Sequence, residues 1–149
     1  GEYTMDRAEP ERISYLEAIR RRGRDANPFF RMMGIDVVTV GEGEAELQMQ
    51  VRPDMTNGVG WLQGGIYLSL TDEAMVLALY SVLEKGEDIA TISESTSFIR
   101  GAREGLLFAT GRVVRKGRRV AFAEGEVRRG GREGEVLART TASFAVVRS

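Results

Sequence analysis

The chain of 149 residues contains neither cysteine nor histidine. Without cysteine there can be no disulfide, iron–sulfur cluster, thiolate nucleophile or cysteine-rich zinc site. Without histidine there can be no Ser-His-Asp triad and no His-ligated metal. Proton transfer, if the protein is an enzyme, falls to Asp, Glu, Lys, Tyr or bound water. Long apolar runs are also missing: no stretch approaches the roughly 20 residues of a membrane helix. The N-terminal stretch is polar and lacks the apolar centre of a secretory signal. A cytoplasmic protein that needs no metal or cofactor, and no membrane partner, is the expectation.

The length suits one domain with a substantial core. We expect a single domain over 1–149, with an N-terminal helix at about 11–24 and a core at about 30–148. The formal net charge of −1 conceals an asymmetry. Residues 1–99 carry nine Arg/Lys against seventeen Asp/Glu, whereas residues 100–139 carry eleven against five. A positive rim of this kind attracts an anionic ligand, although solvated strand faces would account for it too. The run Arg20-Arg21-Arg22-Gly23-Arg24 fits the last turn of a helix, where cations complement the dipole and glycine ends it. No second basic or aromatic element joins it, so nucleic acid is not an expected partner.

Hydrophobic periodicity orders the rest. Asn27-Pro28-Phe29-Phe30 reads as a break, and Ile35 to Val40 as a strand. Glu44 to Val51 alternates strictly between polar and apolar residues, as in a half-buried strand hairpinned to its predecessor across Gly41-Glu42-Gly43. Gln63 to Leu83 is apolar nearly all round, the mark of a buried helix. Four strands follow at about 89–100, 106–115, 119–129 and 136–147. Their short links predict antiparallel sequential neighbours. The fold class is therefore α+β, an antiparallel β-sheet wrapped around one long central helix.

Two features of that helix could carry chemistry. Gly64-Gly65 stands at its start, where N–H groups lack intrahelical partners and carry the positive end of the dipole. A carbonyl oxygen seated there would be polarised, and an oxyanion more strongly. Tight helix–sheet packing would equally explain two glycines. Asp72 lies a little over two turns further on, among Leu68, Met75, Val76 and Leu79. Apolar surroundings should raise its pKa and make it a better base. Glu73 is its competitor, and a structural hydrogen bond would explain either acid.

Asn57, Gln63-Gly64-Gly65 and Thr71-Asp72-Glu73-Ala74 together resemble the phenylacetic-acid-degradation-type acyl-CoA thioesterases of the hotdog superfamily. That family's pattern is an Asn-Gly, a His-Gly-Gly, then a helical acid. The resemblance continues through Thr91, Phe98-Ile99-Arg100-Gly101-Ala102 and Arg115-Lys116-Gly117-Arg118. It implies a hotdog fold and hydrolysis of an acyl-CoA thioester. It also implies that Asp72 is general base or nucleophile, and that a Gly64 or Gly65 N–H polarises the carbonyl. Asn57 would bind the carbonyl or the attacking water, and Thr91 would help place that water. The site would form between two subunits of a homodimer, often doubled to a homotetramer. Phe98, Arg100, Arg103, Arg115, Lys116, Gly117, Arg118 and Arg119 would line the coenzyme A channel, with the cations on its phosphates. Gln63 departs from the pattern: it stands where the family has His, and it donates and accepts but cannot be protonated. The alternative is thus a non-catalytic acyl-CoA binder or sensor on the same fold. A hotdog hydratase would need an Asp-His pair that this chain cannot supply. The aromatic and apolar residues Phe29, Phe30, Met33, Trp61 and Tyr80 would suit an aryl or medium-chain acyl group, and core packing explains them equally well.

Overall fold

Residues 14–148 are described by the structure, a computed structural model. Residues 11–13 of the expected N-terminal helix lie outside this range. Within it, Ser14 caps helix α1 (Tyr15–Arg22) through a reciprocal pair. Its hydroxyl accepts from the Glu17 N–H, and its own N–H donates to the Glu17 carboxylate. This capping box sets the helix start, and Gly23 with φ 57° ends it.

The break read at Asn27–Phe30 proves to be a second short helix, α2 (Pro28–Met33). The Asn27 side chain accepts from the Phe29 and Phe30 N–H groups, and Pro28 occupies the first helical position. Both are helix-start signals that a reading of Asn-Pro as a simple interruption passes over. Strands β1 (Ile35–Gly41) and β2 (Glu44–Gln50) then form the expected hairpin. The central helix α3 (Gly64–Tyr80) is followed by β3 (Glu87–Phe98), β4 (Leu106–Lys116), β5 (Val120–Arg129) and β6 (Val136–Arg148).

One expectation about the sheet fails. The six antiparallel strands run β1-β2-β4-β5-β6-β3, so β3 does not pair with β4 across their short link. β3 pairs with β6 instead, and β4 lies between β2 and β5. Segment 99–105 is therefore a crossover along the end of the sheet. The N–H groups of Ile99 and Arg100 donate to the Leu137 carbonyl of β6. The Arg129 guanidinium of β5 donates to the Gly101 carbonyl. Val51, just past β2, donates to the Gly105 carbonyl. The reason lies in composition: Leu106 to Ala109 is apolar enough for the middle of a sheet, whereas β3 is rich in Ser and Thr and exposed along most of its length. Such a strand belongs at an edge.

The concave face of the sheet holds α3, whose Leu70, Ala74, Met75, Leu77, Ala78 and Leu79 are all at or below 1% exposure. Each buried Leu or Met contributes roughly 2 kcal/mol of transfer free energy. The helix approaches so closely because glycine faces it. A Cβ on Gly111 of β4 would lie 2.4–2.5 Å from backbone atoms of Ala74 and Met75, and one on Gly125 of β5 would lie 3.0 Å from the Thr71 Cβ. Thr71 and Thr140, both buried in the core, bond each other at 2.7 Å. Thr140 continues to Thr96 at 2.9 Å. This hydroxyl chain ties α3 to β6 and on to β3.

Gly111→Ala should therefore cost about 3 kcal/mol or prevent folding, since backbone cannot move aside as a side chain can. Gly131→Ala, facing open space, should stay within about 0.5 kcal/mol of wild type. Urea unfolding midpoints of the two variants provide the comparison.

Candidate active site

The segment before α3 is a loop shaped by Asn57. Its Oδ1 accepts from the N–H groups of Val59 and Trp61, both at 3.0 Å. Its backbone N–H donates to the Trp61 carbonyl at 2.7 Å, and its carbonyl accepts from Gly60. Gly60 has φ 88°, which a side chain would resist, and a Cβ there would also collide with Arg103. Asn57 is exposed, and with Oδ1 engaged by the loop its amide nitrogen is the side-chain group left to donate to a ligand. Two further bonds dock the loop: Leu62 N–H to the Ala102 carbonyl, and Gln63 N–H to the Met55 carbonyl.

The loop delivers the chain to the N-terminus of α3. Gln63 is the N-cap residue, yet its exposed side chain makes no capping bond. Among the described residues no side chain caps the helix end, so the N–H groups of Gly64 and Gly65 are left without an intrahelical partner. Around Gly65 there is open space where a Cβ would stand, while a Cβ on Gly64 would meet the Phe98 ring at 3.5 Å. Phe98 is 59% exposed and meets Tyr67 edge-on with ring centres 5.9 Å apart. The region is thus a polar helix start flanked by an exposed aromatic ring.

Asp72 sits elsewhere. Eight residues of helix place it about 12 Å along the axis from Gly64. It is half-buried rather than enclosed by apolar side chains. Its neighbour across the gap to the sheet edge is Glu94 of β3, whose carboxyl comes within hydrogen-bond reach. Burial, then Asp72 itself, pushes the Glu94 carboxyl up to about 8. Glu73, the competitor on α3, faces the other way, toward Asn27 of the cap of α2. Burial and the charge of Asp72 raise it to about 7, against the hydrogen bond from Asn27. Asn27 also donates to the Tyr15 hydroxyl at 2.7 Å.

Glu94 escaped the sequence reading. The signal was available: residues 94, 96 and 98 share one face of a strand. Thr91 is exposed on β3 opposite Phe144 of β6, just before a bulge at Ile92.

The basic residues fall into two groups at opposite ends of β4, about 35 Å apart for eleven residues of strand. At one end Arg100 pairs with Glu135 at 3.3 Å. Arg103 lies over the Trp61 ring at 3.9 Å and donates to the carbonyls of Val59 and Gly60. At the other end Arg115, Arg118 and Arg119 are exposed, and Gly117 forms the tight turn to Val120. Lys116 is committed to Glu87, with Nζ 2.9 Å from a carboxylate that is 3% exposed and also bound by Arg148. Of the candidate acyl contacts, Phe30 and Met33 are buried in the core, and Tyr80 packs on Tyr15 and donates to Asp88. Among the described residues no group of three or more acidic side chains is placed to hold a metal ion, and no helix is long and apolar enough to cross a membrane.

The sequence model of the Thioesterase superfamily matches residues 60–136, from the loop before α3 to the start of β6. The chain belongs to the thioesterase superfamily. Acyl-coenzyme A thioesterase 13 of Homo sapiens is 28% identical over 111 residues, 73% of this chain and 78% of that one. A candidate esterase of Deinococcus radiodurans is 37% identical over 131 residues, 87% of this chain and 76% of the other. Among solved structures, a mutant of the phenylacetic acid degradation protein PaaI from Thermus thermophilus aligns with TM-score 0.72 and 26% identity, over 80% of this chain and 98% of that one. The sheet and its enclosed helix are thus the hotdog fold of this thioesterase family.

The pKa of Glu73 makes a stability prediction. An acid at about 7 when folded and near 4.5 when unfolded binds more protons in the folded state between those values. Its contribution favours folding at low pH and is lost as pH rises from about 4.5 to 7. Glu73→Gln should thus be more stable than wild type at pH 8, by roughly 1–3 kcal/mol, and the gain should vanish below pH 4.5. Thermal unfolding of both proteins across this range would measure it.

Proposed function

We propose that the protein hydrolyses an acyl-CoA thioester, with Asp72 as the base. The observation that carries this reading is the pairing of two half-sites on one helix: an open N-terminus at Gly64-Gly65 and a carboxylate facing the free edge of the sheet at Asp72. In the reaction a water molecule gives a proton to Asp72 while its oxygen bonds to the thioester carbonyl carbon. The carbonyl oxygen becomes an oxyanion, held by the Gly64 or Gly65 N–H and the Asn57 amide. The C–S bond then breaks with its electron pair on sulfur, and the thiolate takes the proton from Asp72. The products are a free acid and coenzyme A, and the balance needs no cofactor.

A carbonyl cannot touch both half-sites of one chain across about 12 Å. A second copy resolves this. Among the described residues β3 pairs only with β6, which leaves the twelve residues of β3 with an open edge beside Asp72. An antiparallel β3–β3 pairing between two copies would set the Gly64 end of each beside the Asp72 region of the other. It would also bring Arg100 and Arg103 of one protomer toward the Arg115–Arg119 turn of its partner, joining two cationic groups that one chain keeps apart. A dimer, and its doubling to a tetramer, belongs to this reading. The human thioesterase among the relatives supports acyl-CoA as the substrate class. Gln63, with its free side chain, favours a second reading in which acyl-CoA is bound and not cleaved.

Free-thiol release from a panel of acyl-CoAs tests the proposal. Wild type should turn over, and Asp72→Asn should lower kcat by about a hundredfold or more. Binding without turnover on every substrate would establish the binder instead. Mixing inactive Asn57→Ala and Asp72→Asn proteins should restore activity to about a quarter of wild-type sites, because half the dimers carry one intact site. No recovery after subunit exchange would refute the shared site.

A further inference from the structure

Asp72 has a partner that neither the sequence pattern nor the proposed reaction requires. Glu94 stands on the inner face of β3, between Thr96, which the hydroxyl chain anchors to Thr140, and the bulge at Ile92. Its Oε2 is shielded from solvent and finds no ordinary donor among the described residues. The group it reaches is the Asp72 carboxyl. Two carboxylates in that contact repel, whereas one proton between them makes a short, charge-assisted hydrogen bond. From α3 the Asp72 carboxyl reaches Glu94, and Glu73, which points away toward Asn27, acts on it only through its charge; both are acidic. The inward side chains of β6 beside it, Thr140, Ala142 and Phe144, are uncharged. Among the described residues no neighbouring group favours ionised Glu94, and burial with the adjacent acids pushes its carboxyl toward the protonated form.

We propose that Glu94 is the positioning residue of the reaction, its carboxyl donating a hydrogen bond that holds the Asp72 carboxylate aimed. The inference rests on the reading of Asp72 as base and adds a group to it. During turnover the proton on Glu94 is neither consumed nor released. Asp72 takes one proton from water and returns it to the thiolate, while Glu94 keeps its own. Because the donor is a titrating acid, the device has an upper pH limit. Above about 8 Glu94 ionises, the hydrogen bond becomes a repulsion, and turnover falls.

Glu94→Gln offers an amide N–H in place of the acid proton and cannot titrate. It should keep turnover within about threefold of wild type at pH 7 and lose the alkaline fall of kcat. Glu94→Ala leaves Asp72 without the donor and should lose about ten- to a hundredfold at pH 7, the scale of one hydrogen bond to a charged group. A merely structural role would weaken both variants and leave the pH profile in place. Persistence of the alkaline limb in Glu94→Gln would overturn the proposal while a dead Asp72→Asn kept the base reading intact. Full activity in Asp72→Asn would sink the base reading itself. A second measurement needs no turnover. In a Glu73→Gln background, which removes the other raised carboxyl, infrared difference spectra at pH 7 should show one protonated carboxyl stretch. That signal should disappear above about pH 8 and be absent when Glu94→Gln is added. Its absence at pH 7 would also overturn the proposal.

Discussion

The contact between α3 and the glycines of the sheet is the constraint on which the rest depends. A helix pressed against β4 at Gly111 has no room to slide or rotate, because backbone meets backbone. That contact fixes the azimuth of α3. Asp72 is consequently directed at β3 and Glu73 at the cap of α2, since successive helical residues are about 100° apart. The Thr71–Thr140–Thr96 chain then holds the edge strand at the matching height. The chemistry proposed for Asp72 follows from close packing two layers away from it.

Adjacent acids thus acquire different characters from their surroundings. Asp72 looks across an open gap toward a strand edge and a second carboxyl. Glu73 is tied to Asn27 at the cap of α2 and lies near Tyr15 of α1, on the side of α3 that meets the N-terminal helices. The same contrast applies to the cations. Lys116, which by residue type could meet a phosphate, is held by the buried carboxylate of Glu87. Arg115, Arg118 and Arg119 beside it remain exposed.

Much of this was legible in the order of residues. The alternation in Glu44–Val51 and the uninterrupted apolarity of Ile66–Leu83 suffice for a strand hairpin and an enclosed helix, because burial acts on every residue of those segments. Asn57, Gly64, Gly65 and Asp72 stood out as a set only through the resemblance to the phenylacetic-acid-degradation-type thioesterases. What escaped depends on non-local partners. The link after Phe98 is short enough for a hairpin, and only the competition of Leu106–Ala109 for the sheet centre turns it into a crossover. Glu94 looked like one polar residue in a polar strand. Its significance comes from Asp72, 22 positions earlier in the chain. The short helix after Asn27 was missed because Asn-Pro is both a turn signal and a helix start, and only the capping geometry decides between them.

The crossover also shapes how the chain is made. Synthesis runs from β1 and β2 through α3 and β3 before any of β4, β5 and β6 exists. The helix that is apolar nearly all round therefore leaves the ribosome ahead of the strands that enclose it. At roughly 5–20 residues per second, the stretch from Tyr80 to Arg148 takes several seconds to appear. For that interval α3 is a greasy rod with only half its shelter, and β3 has no neighbour to pair with. A fold whose central helix precedes most of its sheet thus places its greatest demand on chaperones between the emergence of α3 and that of β6.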